Sequence, residues 1–158
     1  MRKIDQLLSE YGESHQNGTN KAIHWICVPL IFFSVIGLIA SIPSGPVQAF
    51  LGEGNPYANW ATVVLILAIA YYVTLSIPLT IGMVLFALLC LFAARAIVTS
   101  GVQLWLASIV IFVVAWIGQF YGHKVEGKKP SFLKDLQFLM IGPAWLMHFI
   151  YKKLGIPY

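Results

Sequence analysis

Residues 60–98 read WATVVLILAIAYYVTLSIPLTIGMVLFALLCLFAARAIV, an apolar stretch in which Arg95 is the only charged residue. A helix crosses a bilayer with about 20 apolar residues, so this stretch is long enough for two crossings. Pro78 lies near its middle, and proline interrupts a helix interior because it lacks the backbone N–H. The stretch therefore predicts two transmembrane helices, over residues 60–77 and 79–98, joined by a tight turn.

Two further apolar runs lie on either side of this stretch. Residues 22–40 end at the turn-forming sequence SIPSGP, and residues 102–120 follow the short connection TSG. Each run is long enough to span a bilayer. Short connections between consecutive helices favour antiparallel neighbours. We therefore predict an all-α, polytopic membrane protein built as a four-helix transmembrane bundle, with residues 1–158 forming a single membrane domain.

The composition excludes several classes of protein. Of the 158 residues, 59% are hydrophobic and 10% are charged, and the mean hydropathy is +0.80. Soluble proteins carry about 25% charged residues. Between Lys21 and Lys124 the only charged residues are Glu53 and Arg95. A soluble globule, a disordered chain and a nucleic-acid-binding domain are all excluded, and no nucleic-acid partner is expected.

Basic residues predict the orientation of the chain in the membrane. With four spans, both termini lie on one side, and Arg95 is the only basic residue predicted on the other. Because lysine and arginine are enriched in cytoplasmic segments, we expect both termini to be cytoplasmic, in a bacterial inner membrane or the endoplasmic reticulum. The nine basic residues on that side are Arg2, Lys3, Lys21, Lys124, Lys128, Lys129, Lys134, Lys152 and Lys153.

The segments before and after the four runs predict two non-spanning elements. Residues 1–18 form an amphipathic pattern, with Ile4, Leu8, Tyr11 and His15 on one stripe at helical spacing. This pattern predicts a helix on the cytoplasmic membrane surface. The last apolar segment, residues 138–151, is short and contains Gly142-Pro143, so it predicts a re-entrant or interfacial hairpin.

Three of the four histidines are predicted to meet at one membrane face. His15 ends the surface helix, His24 lies in the first turns of the first span, and His123 lies just past the cytoplasmic end of the fourth. Imidazole is the commonest transition-metal ligand, and three such ligands with open positions suit zinc or ferrous iron. His148 is flanked by apolar residues and is either a fourth ligand or a structural residue. Interfacial histidines also serve as ordinary surface hydrogen-bonding groups, so the pattern alone leaves metal binding open.

Polar and aromatic residues share helical faces with these histidines. Tyr11, Asn20 and Gln119 each lie four residues before a histidine, and Glu126 lies three residues after His123. Such neighbours fix the ring tautomer of a metal ligand, although Glu126 also fits a solvated loop charge.

Lys128 and Lys129 follow Glu126 and Gly127 directly. They fit either a topology signal that contacts lipid head groups or a pair of cations that receives the carboxylate of an anionic substrate.

Two separated motifs carry a family resemblance. They are Tyr11-x3-His15-x4-Asn20-x3-His24-x4-Pro29 and Trp116-x2-Gln119-Phe120-x-Gly122-His123-x2-Glu126-x3-Pro130. Together they resemble the 2-hydroxy fatty acid dioxygenase family of small multi-pass membrane proteins. The resemblance covers essentially the whole chain, including the later Gly142-Pro143.

The resemblance implies a non-haem enzyme that uses ferrous iron, Fe(2+), and dioxygen. Family members shorten a long-chain 2-hydroxy fatty acid by one carbon in fatty acid α-oxidation. The family's ligands correspond to His15, His24 and His123, whereas His148 has no matched counterpart. Tyr11, Asn20, Gln119 and Glu126 are then expected to support or polarise the metal shell.

Two alternatives from other classes stay open at the level of sequence. A bis-histidine haem protein would hold haem between spans, and a visible Soret band would identify it. A non-catalytic lipid-binding scaffold would bind membrane lipid, lack stoichiometric metal and tolerate substitution of its histidines. A transporter fits less well, because no ionisable residue is predicted in the middle of any span.

Overall fold

The computed structural model describes residues 2–127 and 135–158, which form seven α-helices and no strand. This confirms the predicted all-α class. The helices are α1 (Lys3–Glu13), α2 (Gly18–Ala40), α3 (Gly45–Leu51), α4 (Trp60–Leu75), α5 (Ile77–Thr99), α6 (Leu104–Glu126) and α7 (Asp135–Leu154).

Three helices in the described part of the chain are long and apolar enough to cross a membrane. They are α2, α5 and α6, each of 23 residues. The predicted span at 60–77 is a shorter helix, because α4 ends at Leu75 after 16 residues. The break comes before Pro78, since extended Ser76 caps α5 through its side chain and proline is tolerated in a first helical turn.

The α2–α6 pair forms the most extensive helix contact in the described structure. Small residues let the two backbones approach, as is common between membrane helices. A Cβ atom at Gly118 would lie 2.6 Å from Cys27 Sγ, and one at Gly37 would collide with the Ser108 side chain. Cys27, nearer the start of α2, faces Gly118 in the later half of α6, and Gly37 near the end of α2 faces Ser108 near the start of α6. The two helices are therefore antiparallel.

The apolar stripe of α1 is buried against protein. Ile4, Leu8 and Tyr11 are each at most 6% exposed, as the amphipathic pattern predicts. Their partners belong to the same core cluster and include Ile141 and Trp145 on α7. The predicted surface helix therefore does not rest its apolar face on lipid, because α7 covers it. It also ends at Glu13, before residue 18.

The predicted hairpin at 138–151 is wrong, because α7 continues as one helix through Gly142 and Pro143. Helix α7 packs against α1, α2 and α5, and this packing outweighs the cost of an interior proline. Gly142 is needed for close contact, since a Cβ there would lie 2.9 Å from Val28 Cγ1. Tyr72 Oη donates to the Met140 carbonyl at 2.5 Å and fixes α4 to α7 at this point.

Candidate metal centre

His15, His24 and His123 converge at the end of the molecule where α2 begins and α6 ends. We call them the histidine cluster. One ring nitrogen from each lies within 4.8 Å of the other two. The ring centroids are 4.1 Å apart for His15 and His24, 5.1 Å for His24 and His123, and 5.6 Å for His15 and His123. His15 and His24 are only 3% and 1% exposed.

Local structure places each ring of the histidine cluster. His15 lies in the connection after α1, which turns back so that α2 can begin at Gly18. Asn17 caps α2, its side chain accepting from the backbone N–H groups of Thr19 and Asn20. His24 then lies in the second turn of α2. His123 lies inside α6, in its last turn, whereas the sequence predicted it just beyond the helix.

Backbone carbonyls orient two of the rings. His15 Nδ1 donates to the Tyr11 carbonyl at 2.6 Å, and His24 Nδ1 donates to the Asn20 carbonyl at 2.8 Å. A carbonyl only accepts, so both Nδ1 atoms carry the proton and the lone pair of each ring lies on Nε2. This is the tautomer in which a histidine binds a metal through Nε2.

Two buried ring nitrogens in this cluster lack a hydrogen-bond partner among the described residues: His15 Nε2 and His123 Nδ1. A buried unsatisfied polar atom costs about 1–3 kcal/mol. Both atoms belong to rings that face one another, and a metal ion bound between the rings removes the cost. The donor set therefore fits a histidine-ligated transition metal.

The His15 ring is prepared for ligation by its surroundings. Burial lowers the pKa of His15 to about 4, because the charged ring loses its hydration. His15 is therefore neutral at pH 7, which is the form that binds a metal. The Tyr11 ring also stacks on it, with centroids 4.3 Å apart and planes 11° from parallel.

Glu126 ties the connection between α1 and α2 to the end of α6. Its Oε1 accepts from the Gln16 backbone N–H at 2.9 Å. Its Oε2 accepts from the Asn17 backbone N–H at 2.9 Å and from Asn20 Nδ2 at 3.0 Å. Three donors thus converge on one carboxylate, and Asn20 in turn holds His24. These contacts join the segment that carries His15 to the end of α6 that carries His123, and we expect Glu126 to position the histidine cluster.

Gln119 and Asn20 complete the polar surroundings predicted from sequence. Gln119 is 6% exposed and makes a side-chain hydrogen bond with His24. Asn20 is fully buried, and its Nδ2 also donates to the Ser14 carbonyl at 3.2 Å.

Two residues near the cluster had no role assigned from sequence, although Gly122 belongs to the second motif. The ring of Trp145 on α7 lies 5.4 Å from the His15 ring, measured between centroids. Its position in the sequence does not indicate this contact, because the helices that α7 packs against are determined by the tertiary structure. Gly122 faces Asn20 and His24, and a Cβ there would lie 3.5 Å from His24 Cε1. Gly118 and Gly122 are four residues apart, a spacing of small residues that is typical of a contact between membrane helices. This spacing could have identified Gly122 as a helix-contact position.

Other predicted residues lie outside this arrangement. The His148 ring bonds to the Tyr158 hydroxyl and packs on Phe149, and it is not among the described groups able to share a metal ion. Lys128 and Lys129 lie outside the described residues.

If the histidine cluster holds a metal ion, replacing Glu126 with glutamine should weaken its binding by about tenfold, the lower end of the range for residues that support metal ligands. One of the carboxylate oxygens that now accept these hydrogen bonds would become an amide NH2 group, which cannot accept from an N–H donor. Asn20, and the His24 ring that its carbonyl holds, would then be less firmly fixed. Titration of the iron-free protein with Fe(II) measures the change. Glu53→Gln is the matched control, since Glu53 is exposed in the connection between α3 and α4. Equal iron affinity in the two variants would remove Glu126 from this role.

Comparison with known proteins finds relatives that match nearly the whole chain. The family model described as 2-hydroxy-palmitic acid dioxygenase Mpo1-like matches residues 1–154. The protein named 2-hydroxy-palmitic acid dioxygenase MPO1 of Saccharomyces cerevisiae is 31% identical over 153 residues, which cover 94% of this chain and 79% of the yeast protein. No solved structure matches. The chain thus belongs to the 2-hydroxy-palmitic acid dioxygenase Mpo1-like family.

Proposed function

We propose that this protein is a non-haem Fe(II)-dependent dioxygenase that shortens long-chain 2-hydroxy fatty acids by one carbon. The observation that carries the proposal is the histidine cluster: one ring nitrogen of each histidine lies within 4.8 Å of the other two, and two buried ring nitrogens have no hydrogen-bond partner among the described residues. Membership of the Mpo1-like family and the name of the yeast relative support the choice of substrate.

The reaction balances without a second reductant. A 2-hydroxy acid and one O2 give the acid one carbon shorter, one CO2 and one water. The organic substrate loses four electrons, and one O2 accepts four. Bound iron supplies Lewis-acid activation of the substrate and a site for dioxygen. Neither 2-oxoglutarate nor an external electron donor is required.

The charge of the ligand set favours an anionic substrate. As neutral imidazoles, the three members of the histidine cluster would hold a divalent ion without compensating its charge. The carboxylate of the substrate would supply the missing negative charge, with its neighbouring hydroxyl beside it. The carbonyls of Tyr11 and Asn20 hold the rings in place for this geometry.

We further propose that α4 spans together with α2, α5 and α6 and that both termini are cytoplasmic. A 16-residue helix is about 24 Å long, shorter than a typical hydrocarbon core of about 30 Å, so the bilayer thins or flanking residues complete the crossing. The histidine cluster then lies at the cytoplasmic interface, in a bacterial inner membrane or the endoplasmic reticulum. The substrate head reaches the metal while its tail lies among the spans, each buried methylene contributing about 0.8 kcal/mol.

Purified protein in nanodiscs, loaded anaerobically with Fe(II), should convert 2-hydroxypalmitate to pentadecanoate on addition of oxygen. Oxygen uptake and CO2 release are expected to be equimolar, and 2-oxoglutarate should have no effect. An assay without iron is the control. If no shortened acid appears across a series of chain lengths, the proposed reaction is rejected.

The geometry also bears on the haem alternative. The His15 and His24 ring centroids are 4.1 Å apart and their planes are near-perpendicular, so a flat porphyrin does not fit between them. An absorption spectrum of the iron-loaded protein should therefore lack a Soret band.

A further inference from the structure

A groove between α2 and α7 opens near the histidine cluster. It has a volume of about 620 Å³, and we call it the lysine groove. Two kinds of side chain line it: the cations of Lys21, Lys152 and Lys153, and the apolar surfaces of Trp25, Phe149 and Ile150. A volume of this size is typical of small-molecule sites.

We propose that the lysine groove binds the ionised form of a long-chain fatty acid, with the lysines holding the carboxylate and the apolar side chains holding the adjoining methylenes. The identity of the acid as a 2-hydroxy acid rests on the proposed function. The groove itself is a binding site for that acid beside the histidine cluster.

Charge complementarity identifies the ligand. Three cations line the groove, and no described acidic residue lines it with them. A carboxylate is complementary to this positive charge. The indole of Trp25, which is 41% exposed, provides apolar surface beside it. A small inorganic anion would leave that apolar surface unused, whereas a single-chain acid uses both parts.

Aromatic contacts connect the lysine groove to the histidine cluster. Phe149 lines the groove and packs edge-on against Trp145, with ring centroids 4.7 Å apart. Trp145 lies 5.4 Å from the His15 ring. On α2, Lys21 directly follows Asn20, and Trp25 directly follows His24. One layer of aromatic side chains therefore separates the groove from the proposed metal ligands.

The test is equilibrium binding of radiolabelled 2-hydroxypalmitate to the iron-free protein in phosphatidylcholine nanodiscs, corrected with empty discs. The double variant Lys152→Gln/Lys153→Gln should raise Kd about tenfold. The matched control Lys3→Gln/Lys124→Gln removes the same charge from exposed positions outside the groove and should bind as the unaltered protein does. Ile150→Trp, which fills the groove, should also weaken binding.

Neutral and double-chain ligands complete the test. The methyl ester of 2-hydroxypalmitate should bind the unaltered protein weakly and should not distinguish the two double variants. Equal Kd values for the acid in both double variants would overturn the proposal. Efficient displacement of the acid by phosphatidylglycerol in the discs would also overturn it, since the groove would then be a general anionic-lipid surface. Binding without oxygen uptake after iron loading would reject the dioxygenase and leave the groove intact.

Discussion

Alanine at His24 is expected to abolish bound iron and oxygen consumption together. His24 is 1% exposed, its Nδ1 is fixed by the Asn20 carbonyl, and its ring contacts both other members of the histidine cluster. Losing a direct ligand should cost more than the roughly 10–100-fold that supporting residues cost. Elemental analysis of the purified variant and an oxygen electrode measure the two effects.

His148→Ala is the matched control for this experiment. His148 is a histidine of the same chain whose ring bonds to Tyr158 and lies outside the cluster, so iron content should be unchanged. A His24→Ala protein that retains one iron per chain would contradict the assignment of His24 as an essential ligand. Loss of iron in His148→Ala with an unaltered melting temperature would show that the ligand set is larger than three.

Gly122→Ala should reduce iron affinity by about 100-fold, near the upper end of the range for residues around a metal site. The added methyl group would collide with Asn20 Oδ1, whose residue holds the His24 ring through its backbone carbonyl. Asn20 cannot move away easily, because its Nδ2 is bonded to Glu126 and to the Ser14 carbonyl. The α2–α6 contact must then open at the level of the histidine cluster. Fe(II) titration measures the loss.

Gly18→Ala provides the comparison, since a Cβ at Gly18 meets no atom within 4 Å in the described structure. This variant should bind iron normally. Thermal unfolding in detergent should show Gly122→Ala as moderately destabilised and still cooperative. Unchanged iron affinity in Gly122→Ala would mean that the tight approach of α2 and α6 is not what sets the ligand geometry.

Much of the helical architecture follows from local sequence. Long apolar runs bounded by turn residues predict helices wherever lipid surrounds them, and α2, α5 and α6 lie close to the predicted positions. The seven-residue α3 was not predicted, because the sequence at Gly45-Pro46 reads equally as a turn and as a helix start with proline in its first turn.

The partners of the non-spanning segments could not be predicted in the same way. An amphipathic stripe shows that α1 buries one face, but it does not show whether lipid or protein covers it. Helix α7 gave a misleading signal, because Gly142-Pro143 favours a break in an isolated chain. In the folded protein, contacts with α1, α2 and α5 hold α7 continuous.

Part of the candidate site was predictable because topology alone brings certain ends together. With four predicted spans, the start of the first and the end of the last lie on the same side, which is why the meeting of His15, His24 and His123 could be predicted from sequence. The hydrogen bonds of the site could not be predicted from residue spacing, because spacing does not determine their angles. Tyr11 and Asn20 contribute their backbone carbonyls, and Glu126 accepts from three N–H donors.

The distribution of the histidine cluster over α6, α2 and the segment before it has a consequence for biosynthesis. Two of the rings leave the ribosome early, but the third arrives only after every apolar helix up to α6 has been made and inserted. Until then the nascent chain lacks a complete chelating pocket. The proposed iron site therefore cannot be complete before α6 is made, and a chain truncated before α6 lacks His123.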